Sequence, residues 1–112
     1  MSTTKPPVDA DEVTRLIAEA LGATGRLPTV SRLEELDKAL RAEIERLVPV
    51  AQGRADAAPL RSREWYALIQ AAERAEDAAQ YRLGTAPLAA AIHVGVLADR
   101  VTELRAVVEA HR

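Results

Sequence analysis

The sequence predicts an all-α fold: a compact four-helix bundle with a short first helix and three long antiparallel helices. Three observations predict it. Apolar residues recur every three or four positions over long stretches, which is the spacing of one face of a helix. No stretch alternates apolar and polar residues between turn residues, as strands do. The chain has one tryptophan, two tyrosines and no phenylalanine, and a core of Leu, Val, Ile and Ala suits packed helices better than a sheet.

The N-terminal part predicts a tail followed by a short helix. At 112 residues the chain has the length of one domain, with a disordered tail over residues 1–8 and a helical domain over residues 9–112. Asp9 or Asp11 is the expected N-cap of the first helix, and Gly22 is its expected stop. Its apolar residues keep helical spacing: Val13, Leu16, Ile17, Ala20 and Leu21. A helix this short should depend on docking against the others.

The second helix is marked by a capping pattern and a long apolar stripe. After a connector over residues 23–30, Ser31 and Glu34 have the spacing of a capping box, which predicts a helix start at Ser31. The stripe behind it comprises Leu33, Leu36, Leu40, Ile44, Leu47 and Ala51. Pro49 is expected to kink or stop the helix, because proline removes an internal hydrogen bond. A second connector is expected over residues 53–59.

Two further helices are predicted in the C-terminal half. The third is expected from about Leu60 to Leu83, with Gly84 at its end. Its inner face comprises Trp65, Leu68, Ile69, Ala72, Ala75, Ala79 and Leu83. Pro87 is a favourable first residue for the fourth helix. The later stripe of the fourth helix comprises Val94, Leu97, Val101, Leu104 and Val108. Long helices joined by short turns pack antiparallel.

The opening of the fourth helix is unusual, because residues 86–98 are apolar on nearly every side and His93 is the one ionisable residue among them. A helix of this kind is either central in its bundle or covered by a partner. Ala91 and Gly95 are four residues apart on one ridge, where another helix backbone could approach closely. Both a core helix and a self-association face are therefore open interpretations.

Four rare side chains complete the set of candidate ligand or interface residues. His93 could be a base, a ligand contact or a pH switch, or an ordinary hydrogen-bonded core histidine. Trp65 and Tyr66 could form a partner hot spot, or serve only in packing. Tyr81 lies four residues after Asp77 and could take part in acid–base chemistry, or could belong to a solvated helix face.

Composition and motifs exclude several classes of function. The net charge is −2 with acids and bases interspersed, so no basic stripe predicts nucleic-acid binding. The lack of cysteine excludes thiol chemistry and fits a cytoplasmic protein, and no apolar run is long enough to cross a membrane. Neither histidine has a glutamate three residues before it, and no nucleotide-binding or hydrolase motif occurs. We expect no metal and no cofactor, and the sequence favours a non-enzymatic role.

Parts of the chain resemble a known family. The run Leu36, Leu40-Arg41, Ile44 and Leu47-Val48-Pro49, the alanine-rich helix ending Tyr81-Arg82-Leu83, and Leu97-Ala98-Asp99-Arg100-Val101 followed by His111 are similar to small helical actinomycete proteins of unknown function. The similarity covers about residues 28–111. It implies a cytoplasmic all-helical protein, with some members loosely associated with natural-product biosynthesis as accessory proteins. Family members often carry a histidine where this chain has Glu43.

Two hypotheses of function follow. The first is a non-catalytic interaction or accessory protein that forms a homo-oligomer or docks on a larger protein, because the fourth helix opens on an apolar segment. The second is a small-molecule-binding protein or small enzyme of secondary metabolism. Its pocket would lie between the third and fourth predicted helices and be lined by Trp65, Tyr81 and His93.

Overall fold

The structure, a computed structural model, describes residues 10–111. In that range the chain forms five helices and no strand: α1 (Ala10–Leu21), α2 (Ala23–Arg26), α3 (Val30–Ala57), α4 (Arg63–Ala79) and α5 (Pro87–Ala110). The all-α prediction is confirmed. The single-turn α2 lies in the predicted connector. The predicted tail and Asp9 lie outside the described residues, and Asp11 lies within α1 rather than before it.

α5 is the central helix, because it packs against each of the other four. α4 runs antiparallel to α3, since Arg41 in the first half of α3 reaches the carbonyl of Ala79 at the end of α4. α5 runs parallel to α3, since Arg54 near the end of α3 reaches the carbonyl of Val108 near the end of α5. α1 packs on α5 and α3 and makes no contact with α4.

The predicted apolar stripes form the core. All six residues of the α3 stripe and all five of the α5 stripe are buried. Alanine fills most of the α4 side of the core: Ala71, Ala72, Ala75 and Ala78. Small side chains on α4 let its backbone lie close to its neighbours, so that a core almost without aromatic residues can be filled by Leu, Val, Ile and Ala.

Four predicted helix boundaries are wrong, two on α3 and two on α4. α3 begins at Val30 rather than Ser31, because the hydroxyl of Thr29 accepts the backbone N–H of Arg32 at 3.1 Å and takes the capping role. α3 also continues through Pro49 to Ala57, so the connector expected over residues 53–59 is mostly helical. Burial of Ala51 and Ala55 against the core offsets the hydrogen bond that the proline removes.

α4 is shorter than predicted at both ends. It begins after Ser62, whose hydroxyl accepts the backbone N–H of Trp65 at 3.2 Å, and not at Leu60. It ends at Ala79, where the N–H groups of Gln80 and Tyr81 bond three residues back and tighten the last turn. The predicted extension to Leu83 is therefore absent. The start of α5 at Pro87 is confirmed.

Candidate functional site

A cleft of about 510 Å³ lies between the end of α4 and the first half of α5. Its apolar wall comprises Ala78, Tyr81, Ala89, Ile92 and Val96, and its polar lining comprises Arg74, Asp77, His93 and Arg100. The sequence placed a pocket between these helices, and two of its three candidate residues, Tyr81 and His93, line the cleft. Trp65 does not, because it lies at the opposite end of α4.

Beside the cleft, α5 exposes an apolar row. Leu88, Ile92 and Val96 are four residues apart on α5 and are 55%, 52% and 43% exposed. Tyr81, two residues after the end of α4, lines the same cleft as Ile92 and Val96 and is 65% exposed. The first half of the central helix therefore presents an uncovered apolar row, although Ala90, Ala91, Val94 and Leu97 on its inner side are buried.

Behind the cleft, three partly buried polar side chains form a cluster that joins α3, α4 and α5. The carboxylate of Asp37 accepts from Arg41 Nε at 2.9 Å and lies 3.1 Å from His93 Nε2. Arg41 also donates to the carbonyls of Ala79 and Tyr81. A guanidinium at this position satisfies carbonyls that a helix C-terminus leaves unpaired. We call Asp37, Arg41 and His93 the polar cluster.

The position of His93 Nε2 limits its chemistry. Arg41 Nη2 lies 3.1 Å from the same nitrogen. A ring nitrogen carries either a proton or a lone pair, so Nε2 either donates to Asp37 or accepts from Arg41. With both partners in α3, this nitrogen is engaged in holding helices together, and only the rest of the ring lines the cleft.

A second ionic group includes the two arginines that line the cleft, Arg74 and Arg100. Glu103 on α5 accepts from Arg74 of α4 and, at 3.3 Å, from Arg100 of α5. Two guanidinium groups from different helices thus share one carboxylate, and each contributes Nη1 alone. Each guanidinium carries five N–H donors, so most of its donors stay available.

The remaining candidate residues lie away from the cleft. Trp65 packs against the core and meets Tyr66 edge to face, with ring centroids 5.0 Å apart. Ala91 is fully buried. Gly95 faces α1: a Cβ added there would lie 3.7 Å from the carbonyl oxygen of Ala20. The helix backbone that approaches this ridge therefore belongs to the same chain.

Sequence reasoning missed most of the charged residues of the site. Asp37 and Arg41 are four apart on α3, and this spacing is common on solvated helix faces. Arg74 gives no signal either, because its ion pair with Glu103 joins two helices, and Arg100 and Glu103 have the ordinary i,i+3 spacing of a helix surface. The signals that did point to this part of the molecule were the rare side chains His93 and Tyr81 and the apolar opening of the fourth helix.

Glu43 is the one buried acidic residue in the described chain. Arg46, three residues later, donates to both of its carboxylate oxygens, at 2.8 and 2.7 Å. This pairing with Glu43 raises the pKa of the Arg46 guanidinium above its ordinary value. Glu43 is therefore satisfied within α3.

Within residues 10–111 no three His, Asp or Glu side chains are grouped as metal ligands. No helix of the described chain is long and apolar enough to cross a membrane.

A family model described as a family of unknown function (DUF6415) matches residues 11–112, so the chain belongs to that family. Comparisons with curated proteins and with solved structures give no match.

Proposed function

We propose that this member of the family of unknown function (DUF6415) is a non-catalytic helical interaction protein of the cytoplasm that self-associates through α5. The observation that carries the proposal is the apolar row of Leu88, Ile92 and Val96. These three large apolar side chains are about half exposed on the helix that is otherwise central to the fold. Apolar surface left contiguous in this way is typical of an interaction site.

A second copy of the chain is the partner that fits this face. The row is symmetric about Ile92, so antiparallel pairing of two α5 helices would set Leu88 against the partner's Val96. A twofold interface requires such self-complementarity. The bordering charges have both signs, with Arg74 and Arg100 beside Asp77. When two copies of the face pair, positive and negative groups would therefore both be present at its border, and the two copies would not repel each other through like charges alone.

The test compares two variants that remove the same kind of side chain. Ile92→Glu places a charge at the centre of the row. Leu60→Glu, the control, places the same charge outside the row, at a leucine of the α3–α4 connector that is 75% exposed. We expect sedimentation velocity from micromolar to millimolar concentration to show association of the wild type and of Leu60→Glu. Ile92→Glu should stay monomeric, because a buried unpaired charge opposes association.

A wild type that is monomeric throughout this range would overturn the proposal. So would an Ile92→Glu variant that associates like Leu60→Glu, because the interface would then lie elsewhere.

A small-molecule-binding protein is the second candidate, favoured by the placement of Tyr81 and His93 in one cleft. A ligand there would lie against Ile92 and Val96, beside the polar cluster. An accessory role in natural-product biosynthesis stays a prediction of the resemblance alone.

A further inference from the structure

We propose that the α4–α5 cleft binds an amphiphilic organic anion, with its apolar part along Ile92 and Val96 and its carboxylate at Arg74 and Arg100. This inference rests on the second candidate function and adds the chemical class of the ligand. The structure supports it at two places, the apolar wall and the arginine end, and Asp77 is the lining residue that opposes it.

The apolar wall suits a chain or ring of modest size. A volume of about 510 Å³ lies within the range of about 300–1,000 Å³ typical of small-molecule sites. Ile92, Val96 and Tyr81 are at least two-fifths exposed. A ligand that covers them removes apolar surface from water, which is favourable in proportion to the area covered.

The arginine end already holds a carboxylate. Arg74 and Arg100 come from different helices, yet both donate to Glu103, which shows that one carboxylate can bridge α4 and α5. Two positive groups share one negative group, so Glu103 alone does not neutralise both arginines. Arg74 is half exposed, and its unused N–H groups suit a second carboxylate.

Asp77 is the charge that opposes an anion in the cleft. It is the one acidic residue among the lining side chains, against two arginines. His93, the remaining ionisable group near the centre, is engaged by Asp37 and Arg41 behind the cleft. Asp77 and Glu103 together match the two arginines in charge, so the preference for an anion depends on the unused N–H donors of Arg74 and Arg100.

The experiment uses three probes with the same tail: octanoate, octanol and octylammonium, each below its micelle-forming concentration. Binding is followed by NMR chemical shifts at a protein concentration where sedimentation shows a single species. We expect octanoate to bind more tightly than octanol, and octylammonium to bind least. Arg100→Gln should abolish the preference for octanoate over octanol, whereas Arg105→Gln, elsewhere on α5, should leave it unchanged.

Glu103→Gln supplies a test in the opposite direction. It releases both arginines from their internal carboxylate, so octanoate should bind up to about fivefold more tightly, the worth of an exposed ion pair. A gain in affinity cannot come from unfolding, and octanol binding should not change.

Octanoate and octanol binding equally to the wild type would overturn the anion inference and leave the second candidate function standing. Tightest binding of octylammonium would also overturn it, since Asp77 would then dominate. Failure of all three probes to shift cleft resonances would overturn both the inference and the second candidate function, and would leave self-association to its own test.

Discussion

At the scale of single residues, Gly95 shows how little space separates α1 from α5. A Cβ at this position would make an ordinary contact with Ala20, and alanine is favoured over glycine inside a helix. Gly95→Ala should therefore raise the free energy of unfolding by about 0.5–1 kcal/mol. Gly95→Leu should lower it, because the larger side chain would displace α1.

Urea denaturation measures both effects. Gly53→Ala is the control, since a Cβ there meets no atom within 4 Å and tests helix propensity alone. If Gly95→Leu were as stable as Gly95→Ala, α1 would not be docked at this position. Gly95→Leu is consequently a probe of α1 docking and not of self-association.

The ion pair between Glu19 and Arg32 makes a second residue-scale prediction, on pH. Arg32 donates to both carboxylate oxygens of Glu19 at 2.6 Å, and this hydrogen bonding lowers the pKa of the Glu19 carboxyl. A lowered folded-state pKa contributes stability above the unfolded-state pKa of about 4.3. That stability is lost as the pH falls through the lower folded-state value.

Because both side chains are about one-third exposed, the contribution should not exceed about 1 kcal/mol. The measurement is the difference in unfolding free energy between the wild type and Glu19→Gln at several pH values. The wild type should be the more stable near neutral pH, and the difference should shrink in acid. A difference that stays constant into strong acid would contradict this assignment.

At the scale of elements, Arg41 determines where α4 ends. It donates to the carbonyls of Ala79 and Tyr81 and pairs with Asp37. Arg41→Met keeps the aliphatic stem but removes these bonds, and should cost about 1.5–3 kcal/mol. Hydrogen exchange should accelerate over residues 79–86 in particular.

Arg54→Met is the matched control, because Arg54 plays the corresponding role at the carbonyl of Val108. It should accelerate exchange at the end of α5 and not of α4. Equal acceleration of both regions in either variant would show global destabilisation and not a local cap.

The element boundaries also show where prediction from sequence failed. Ser31 and Thr29 are both acceptable caps, and only the backbone geometry at Thr29 selected it. Pro49 disfavours helix locally, but packing of the residues beyond it kept α3 continuous. The end of α4 depends on an arginine 38 positions earlier, which no local pattern reveals.

At the scale of the whole molecule, the central position of α5 predicts unequal costs along one helix. Leu97 is fully buried, whereas Leu88 is 55% exposed. Leu97→Ala should cost about 2–5 kcal/mol, through lost burial and the cavity left behind. Leu88→Ala should cost no more than about 0.5 kcal/mol in the monomer, and thermal unfolding compares the two. Similar losses for both variants would mean that α5 is not the central helix.

The sequence by itself determined the helical class, the stripes that form the core and the start of α5, because these depend on spacing and capping within a few residues. It also marked the opening of α5 as the segment to examine. Only the tertiary structure decided which faces of that segment are covered. α1 takes the side of Gly95, α3 reaches His93 through Asp37 and Arg41, and Leu88, Ile92 and Val96 are left exposed. The physical reason is that burial and ion pairing between helices depend on how distant residues meet, whereas periodicity reports only the geometry within one helix.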